Sequence, residues 1–138
     1  MSELLSRLVI RRLGVGERPA LGDLTAGGVD TREQTDCCSY VAEIDGHCVG
    51  YLLVQSISYL DGKPLTLWID DLAVHPDHRR RKIATALYRE LGTWARAEGV
   101  KAILTRIPPD NAAARALHQQ IGFEDHATGT LVWRLDRD

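Results

Sequence analysis

Ile69-Asp70-Asp71-Leu72-Ala73-Val74-His75-Pro76-Asp77-His78-Arg79-Arg80-Arg81-Lys82-Ile83-Ala84-Thr85-Ala86-Leu87 changes period part-way along. Up to Val74 it reads as the end of a strand. Beyond the basic cluster, Ile83, Leu87, Leu91 and Trp94, with Ala84 and Ala95 beside them, recur at spacings of three and four. That places them on one face of a helix, the longest in the chain, ending near Gly99. Residues 100–107 then form an apolar strand stopped by Pro108-Pro109. Strand, helix and strand make a βαβ unit, so strands 65–74 and 100–107 should lie parallel in one sheet.

The pattern upstream is antiparallel. Residues 39–44 and 48–59 are rich in Val, Ile, Tyr and Leu, and Asp45-Gly46 between them is a two-residue hairpin signal. Asp61-Gly62 turns the chain again into strand 65–74, completing a three-strand meander. A further strand is expected at 7–13. The stretch 14–36, with five glycines and a proline, reads as an irregular or weakly helical surface segment. Downstream, Asn111 stands at an N-cap position before a helix carrying Ala114, Leu117 and Ile121, and Gly122 closes it. Segments 123–126 and 131–135 alternate and predict a terminal hairpin around Gly129. The expected class is α/β: a mixed, largely antiparallel sheet with a central parallel βαβ unit, covered by the two helices.

Composition bounds the function. The chain has 138 residues, 44% apolar and 26% charged, which predicts one domain over residues 1–138 rather than two. Lys+Arg number 17 and Asp+Glu 19, a net charge of −2, which argues against a binder of nucleic acid over its whole surface. Residues 1–13 are interrupted by Glu3, Arg7, Arg11 and Arg12, and no apolar run reaches the roughly 18 residues of a membrane span, so a soluble, cytoplasmic protein is expected. Cys37, Cys38 and Cys48 are odd in number and form no C-x-x-C pair, which favours idle thiols over a disulfide framework or a zinc site. His75 and His78 flank a proline turn with no third ligand nearby, so no metal is expected.

The basic turn carries the chemistry. A helix N-terminus presents N–H groups without intrahelical partners and a partial positive charge, which suits a phosphate or pyrophosphate. Four consecutive cations, Arg79, Arg80, Arg81 and Lys82, oppose the macrodipole there at roughly 0.3–1 kcal/mol each, and a bound anion would offset that cost. By itself the run reads equally as a solvated turn or a short nucleic-acid patch.

The wider pattern resembles the GNAT superfamily of acyl-coenzyme A dependent N-acetyltransferases, from about Ser39 to the C-terminus. That family's donor loop, Arg/Gln-x-x-Gly-x-Gly/Ala after Val-x-Pro, is matched by Val74-His75-Pro76 and then Arg79-Arg80-Arg81-Lys82-Ile83-Ala84. A second motif, Asn-x-x-Ala-x-x-Leu-Tyr-x-x-x-Gly-Phe, is matched at Asn111, Ala114, Leu117, Gly122 and Phe123. Two departures stand out. The turn has no glycine, Lys82 and Arg80 standing where glycine is usual. His118 replaces the tyrosine to which protonation of the leaving thiolate is attributed. If the Lys82 position needs a positive φ, coenzyme binding should weaken.

The resemblance implies acetyl-CoA as co-substrate, its pyrophosphate on the backbone of Arg79, Arg80, Arg81, Lys82, Ile83 and Ala84, with Thr85 and Asn111 nearby. The pantetheine arm would run beside Leu72, Ala73 and Val74, where the family's sheet splays. An amine, on a small molecule or a protein, would attack the thioester directly, with a backbone N–H near Leu72 stabilising the oxyanion. Asp70 and Asp71 are the candidate carboxylates for taking the amine's proton. Adjacent strand residues point to opposite faces, so only one should look into the cleft. Asp70, on the face of Leu72 and Val74, is preferred, with Asp71 orienting substrate. His118 stands either as general acid or as a partly buried helix residue. Tyr51, Tyr59 and Trp68 are candidates to line the acceptor cleft, whereas Trp94 is assigned to packing. The implied partners are acetyl-CoA and an amine, without nucleic acid or membrane; a homodimer is compatible with the resemblance. The competing readings are a coenzyme-binding domain without catalysis and an interaction module built on residues 79–82.

Overall fold

The structure is a computed structural model describing residues 7–14, 20–21, 24–25, 39–79, 82–126 and 129–136. In chain order the strands begin with β1 (Leu8–Arg12), β2 (Ala20–Leu21), β3 (Leu24–Thr25), β4 (Tyr40–Ile44), β5 (His47–Leu60) and β6 (Lys63–Val74). A 3-10 turn, Pro76–His78, leads into helix α1 (Ile83–Glu98). Strand β7 (Ala102–Arg106), helix α2 (Ala112–Ile121) and strands β8 (Glu124–Asp125) and β9 (Thr130–Arg134) follow.

Seven strands form one sheet in the order β1-β4-β5-β6-β7-β9-β8, while β2 and β3 pair with each other. The sheet is mixed, as expected: β6 and β7 are parallel and its other neighbours antiparallel. Both hairpin turns of the meander have positive φ at their two central residues, Asp45 and Gly46 at 54° and 80°, Asp61 and Gly62 at 53° and 78°. This is the twist-matched geometry that Asp-Gly favours. In the C-terminal pair β9 lies between β7 and β8, and β8 spans two residues. Ile107 N–H donates to the Gly129 carbonyl at 3.0 Å, one step beyond the Arg106–Thr130 pair of β7 and β9. Within 14–36, only Gly14, β2 and β3 are among the described residues; Cys37 and Cys38 also lie outside them.

Helix α1 buries the face its spacing predicts. Ile83, Leu87, Tyr88, Leu91 and Ala95 pack in one cluster with Tyr40, Ala42, Leu52, Val54, Leu67 and Ile69 of the sheet. Each fully buried Leu or Ile in such a core contributes about 1.5–3 kcal/mol. Trp94, at the margin of that face, is half-buried with the Arg12 guanidinium 5.4 Å from its ring centroid, a packing role. A smaller cluster on the opposite side of β5 holds Tyr51 and Leu53, with Leu13, Cys48 and Ala73 against them. In α2 the predicted stripe is half-buried, Ala114 and Ile121 packing against the main core, and His118 on the same side is buried where it meets Tyr88 of α1. No described helix is long and apolar enough to cross a membrane.

Candidate active site

The sheet opens where the motif residues lie. Strands β6 and β7 pair at Thr66, Leu67 and Trp68 with Ala102, Ile103 and Leu104. Beyond Trp68, β6 runs on to Val74 paired only with β5 among the described residues. The free edge can be assigned atom by atom. His75 N–H donates to the Val49 carbonyl of β5 at 2.8 Å, so the Val74 carbonyl, in the same trans peptide unit, points the other way. Alternation along the strand then turns the N–H and C=O of both Leu72 and Val74 to the open edge and those of Ala73 toward β5. The Val74 carbonyl accepts from Arg79 Nε at 3.2 Å.

A β-bulge sits next to that edge. Leu53 pairs with Asp71 and Val54 with Ile69, so Asp70 is an extra residue on β6. The bulge resets the alternation. Ile69 belongs to the main core and Leu72 and Val74 pack against it, three residues and then two further on. The expectation that Asp70 shares a face with Leu72 and Val74 is therefore corrected, as is the expectation that Asp70 and Asp71 point to opposite faces. Both carboxylates take hydrogen bonds from the same face of β5. Tyr51 O–H donates to Asp71 Oδ2 at 2.8 Å, and Gln55 Nε2 donates to Asp70 Oδ1 at 2.9 Å. Asp71 is half-buried and Asp70 exposed. Burial pushes the Tyr51 phenol far above its ordinary range, and the hydrogen bond and charge of Asp71 add in the same direction, so Tyr51 is a proton-bearing donor.

At the head of α1, Lys82 has φ 62° and ψ 22°, the left-handed conformation. The position usual for glycine thus keeps a glycine-like backbone while carrying an exposed lysine, at a cost of roughly 1–2 kcal/mol. The Lys82 side chain makes no capping hydrogen bond and no acid lies in the first turn. The Lys82 carbonyl accepts the first intrahelical bond, donated by Ala86 N–H, so the amides of Ile83, Ala84 and Thr85 have no intrahelical acceptor. Arg79 is exposed; Arg80 and Arg81 lie outside the described residues. Gly50 lets this helix end approach the sheet: a Cβ there would meet the Ala73 carbonyl at 3.1 Å and Ile83 Cγ2 at 3.2 Å. The motif reading passed over Gly50, although an isolated glycine inside a strand signals such an approach.

The second motif lies elsewhere in the fold. Asn111 is the N-cap of α2, its Oδ1 accepting from Ala114 N–H at 3.2 Å. His118 is buried, with Nδ1 2.7 Å from the Ala114 carbonyl and Nε2 2.7 Å from Tyr88 Oη. A carbonyl only accepts, so the proton is on Nδ1, and Nε2 accepts from the Tyr88 hydroxyl. Burial lowers the His118 pKa, partly opposed by the Ala114 bond. Its neutral ring packs edge-on against Tyr88 and Phe123. This bonding matches the helix-residue reading, since both ring nitrogens are engaged inside the core.

Of the aromatic candidates, Tyr51 adjoins the carboxylates, Trp68 is half-buried where β6 and β7 part, and Tyr59 is exposed eight residues beyond Tyr51. At about 3.3 Å per residue that separates Tyr59 from Tyr51 by roughly 26 Å along the strand. His75 Nδ1 accepts from Asp77 N–H at 3.1 Å, a turn contact. Among the described residues no group of three His, Cys, Asp or Glu side chains is arranged to hold a metal.

The model of the acetyltransferase (GNAT) family matches residues 11–123. The chain belongs to the GNAT family. Among curated GNAT relatives, the L-2,4-diaminobutyric acid acetyltransferase of Nocardia farcinica is 40% identical over 78 residues, 56% of this chain and 38% of that protein. The alignment therefore spans well under half of that relative's length. An aminoglycoside N(6')-acetyltransferase type 1 of Acinetobacter genomosp. 13 is 30% identical over 105 residues, 73% of this chain and 70% of that one. Among solved structures, a GNAT acetyltransferase from Elizabethkingia anophelis with acetyl-CoA bound superposes with a TM-score of 0.70 at 14% identity, covering 93% of this chain and 98% of that one.

Proposed function

We propose that this GNAT chain transfers an acetyl group from acetyl-CoA to a primary amine by direct attack in a ternary complex. The observation that carries the reading is the open edge of β6, with the N–H and C=O of Leu72 and Val74 turned outward, adjoining the left-handed bend at Lys82 and the start of α1, which the Lys82 side chain does not cap. An extended amide-bearing arm can pair along that edge as an added strand, while a diphosphate suits the amides of Ile83, Ala84 and Thr85. The cations Arg79, Arg80, Arg81 and Lys82 supply matching charge. Arg79 must share or release the Val74 carbonyl when the arm pairs there.

Asp70 and Asp71 take up the proton of the attacking amine or hold its charge. The amine nitrogen bonds to the carbonyl carbon, the C–S bond breaks, and the sulfur takes a proton from solvent. The Leu72 N–H is the donor available to the carbonyl oxygen as charge develops. No proton transfer through His118 is invoked, because it would require breaking the Tyr88 bond. Cys48 is half-buried with its thiol donating to the Gly50 carbonyl at 3.5 Å, and no covalent enzyme intermediate is invoked. The acceptor is an amine on a small molecule or a protein in the cytoplasm. The names of the relatives put diaminobutyrate and aminoglycosides first in a panel.

Calorimetric titration with acetyl-CoA, followed by thiol release across that panel, tests the reading. Micromolar binding and amine-dependent release support it. Binding without release for any amine would favour the non-catalytic alternative, to which the engaged His118 lends weight. Absence of binding would remove both. Asp70→Asn with Asp71→Asn should lower turnover by about a hundredfold or more while acetyl-CoA still binds.

A further inference from the structure

Two carboxylates stand side by side at the bulge, and their partners on β5 differ in kind. Gln55 reaches Asp70 from a half-buried position, and the bond itself is exposed. Tyr51 is 4% exposed, its ring packed with Leu53 and bordered by Leu13, Cys48 and Ala73. Two χ angles set its hydroxyl, and the packed ring leaves neither free to turn. That hydroxyl is therefore an immobile donor aimed at Asp71 Oδ2, 2.8 Å away. With Oδ2 engaged, the plane of the Asp71 carboxylate is set and Oδ1 is the oxygen left for an incoming amine. The bulge sets the arrangement: without the extra residue, strand alternation would leave only one of the two carboxylates on the Tyr51 face.

We propose that Tyr51 is a positioning residue for acetyl transfer, its hydroxyl holding Asp71 so that Asp71, rather than Asp70, receives the amine's proton. The inference rests on the acetyltransferase reading above and reverses the order of the two carboxylates expected from strand alternation, which preferred Asp70. Tyr51 itself touches no reacting atom. Its effect is geometric, because a base displaced by a fraction of an ångström loses much of its advantage in a bimolecular attack.

The test is a double-mutant cycle on kcat and on KM for each substrate. Tyr51→Phe keeps the ring and its packing and removes only the hydroxyl. It should lower kcat roughly ten- to a hundredfold, with KM for acetyl-CoA unchanged. In an Asp71→Asn background it should have no further effect, and in an Asp70→Asn background it should keep its full effect. An unchanged kcat, an equal loss with and without Asp71, or a loss matched by a higher KM for acetyl-CoA would overturn the assignment. Melting curves accompany each variant. If Tyr51→Phe does not fold, Asp71→Asn against Gln55→Leu decides: a greater loss from Asp71→Asn supports the proposal, and a greater loss from Gln55→Leu overturns it. Failure of the wild-type protein to acetylate any amine despite binding acetyl-CoA is a separate result, which removes the transferase reading and this proposal together.

Discussion

Two tyrosine hydroxyls in this protein donate to titratable side chains, and their surroundings give the two bonds different work. Tyr88 O–H to His118 Nε2, 2.7 Å, lies inside the main core between α1 and α2, and both rings belong to one aromatic stack with Phe123. Tyr51 O–H to Asp71 Oδ2, 2.8 Å, lies at the side of the sheet where β6 has lost its β7 neighbour, and one carboxylate oxygen remains to be used. The first bond satisfies two polar groups that packing would otherwise strand. The second anchors a charged group beside an open edge. A hydrogen bond of the same type and length is thus structural or functional according to whether its acceptor has anything left to offer outward.

The largest effect on stability is expected at the sealed pair. Tyr88→Phe leaves His118 Nε2 buried without a donor and should cost about 1–3 kcal/mol of stability, read as a lower denaturation midpoint. Turnover per folded molecule should stay near wild type, the mirror image of Tyr51→Phe. A large turnover loss from Tyr88→Phe at unchanged stability would show that the sealed pair takes part in catalysis after all.

Acid sharpens the same contrast more gently. Because burial depresses the His118 pKa in the folded state, the unfolded chain binds its proton first as pH falls below about 6.5. Stability from this group is complete above that pH and declines below it, until the folded-state pKa is reached. Chemical denaturation at a series of pH values should therefore give a downward slope below about 6.5 that is shallower in His118→Gln. An identical slope in the variant would remove His118 as its cause.

The smallest effect is expected at the bend. Lys82→Gly relieves a left-handed conformation costing roughly 1–2 kcal/mol but frees the unfolded chain, so a net gain of no more than about 1 kcal/mol is expected in the melting profile. Acetyl-CoA affinity should change little, since the backbone already has the shape glycine would allow and one of four neighbouring cations is lost. A severalfold gain in affinity would mean that the lysine side chain obstructs the diphosphate.

Much of the fold was legible from local pattern. The Asp45-Gly46 and Asp61-Gly62 turns, the three-and-four spacing of α1 and the order strand, helix, strand each have short-range causes, and each recurs in the structure. The apolar stripe of α2 was legible as well, since Ala114 and Ile121 pack against the core, but periodicity does not say what a face meets, and the Tyr88 hydroxyl against His118 is a tertiary contact. The donor-loop motif located the bend, yet the left-handed φ of Lys82 had to be seen. Lysine pays for that conformation only because the chain on either side leaves no alternative, and nothing in its identity announces it.

The chain's own residues determined that a basic turn would head the long helix, that two carboxylates would precede it, and that the sheet would be mixed. Tertiary structure alone decided which edge of β6 stands open, that Asp70 bulges so both carboxylates fall on one face, and which tyrosine meets which partner. The reason is physical: turns and helix faces are set by neighbours a few residues away, whereas register, bulges and cross-strand bonds are set by pairing between segments distant in sequence. Asp71 and Tyr51 are twenty residues apart. A shift of one residue in that pairing would have sent the carboxylate to the other face.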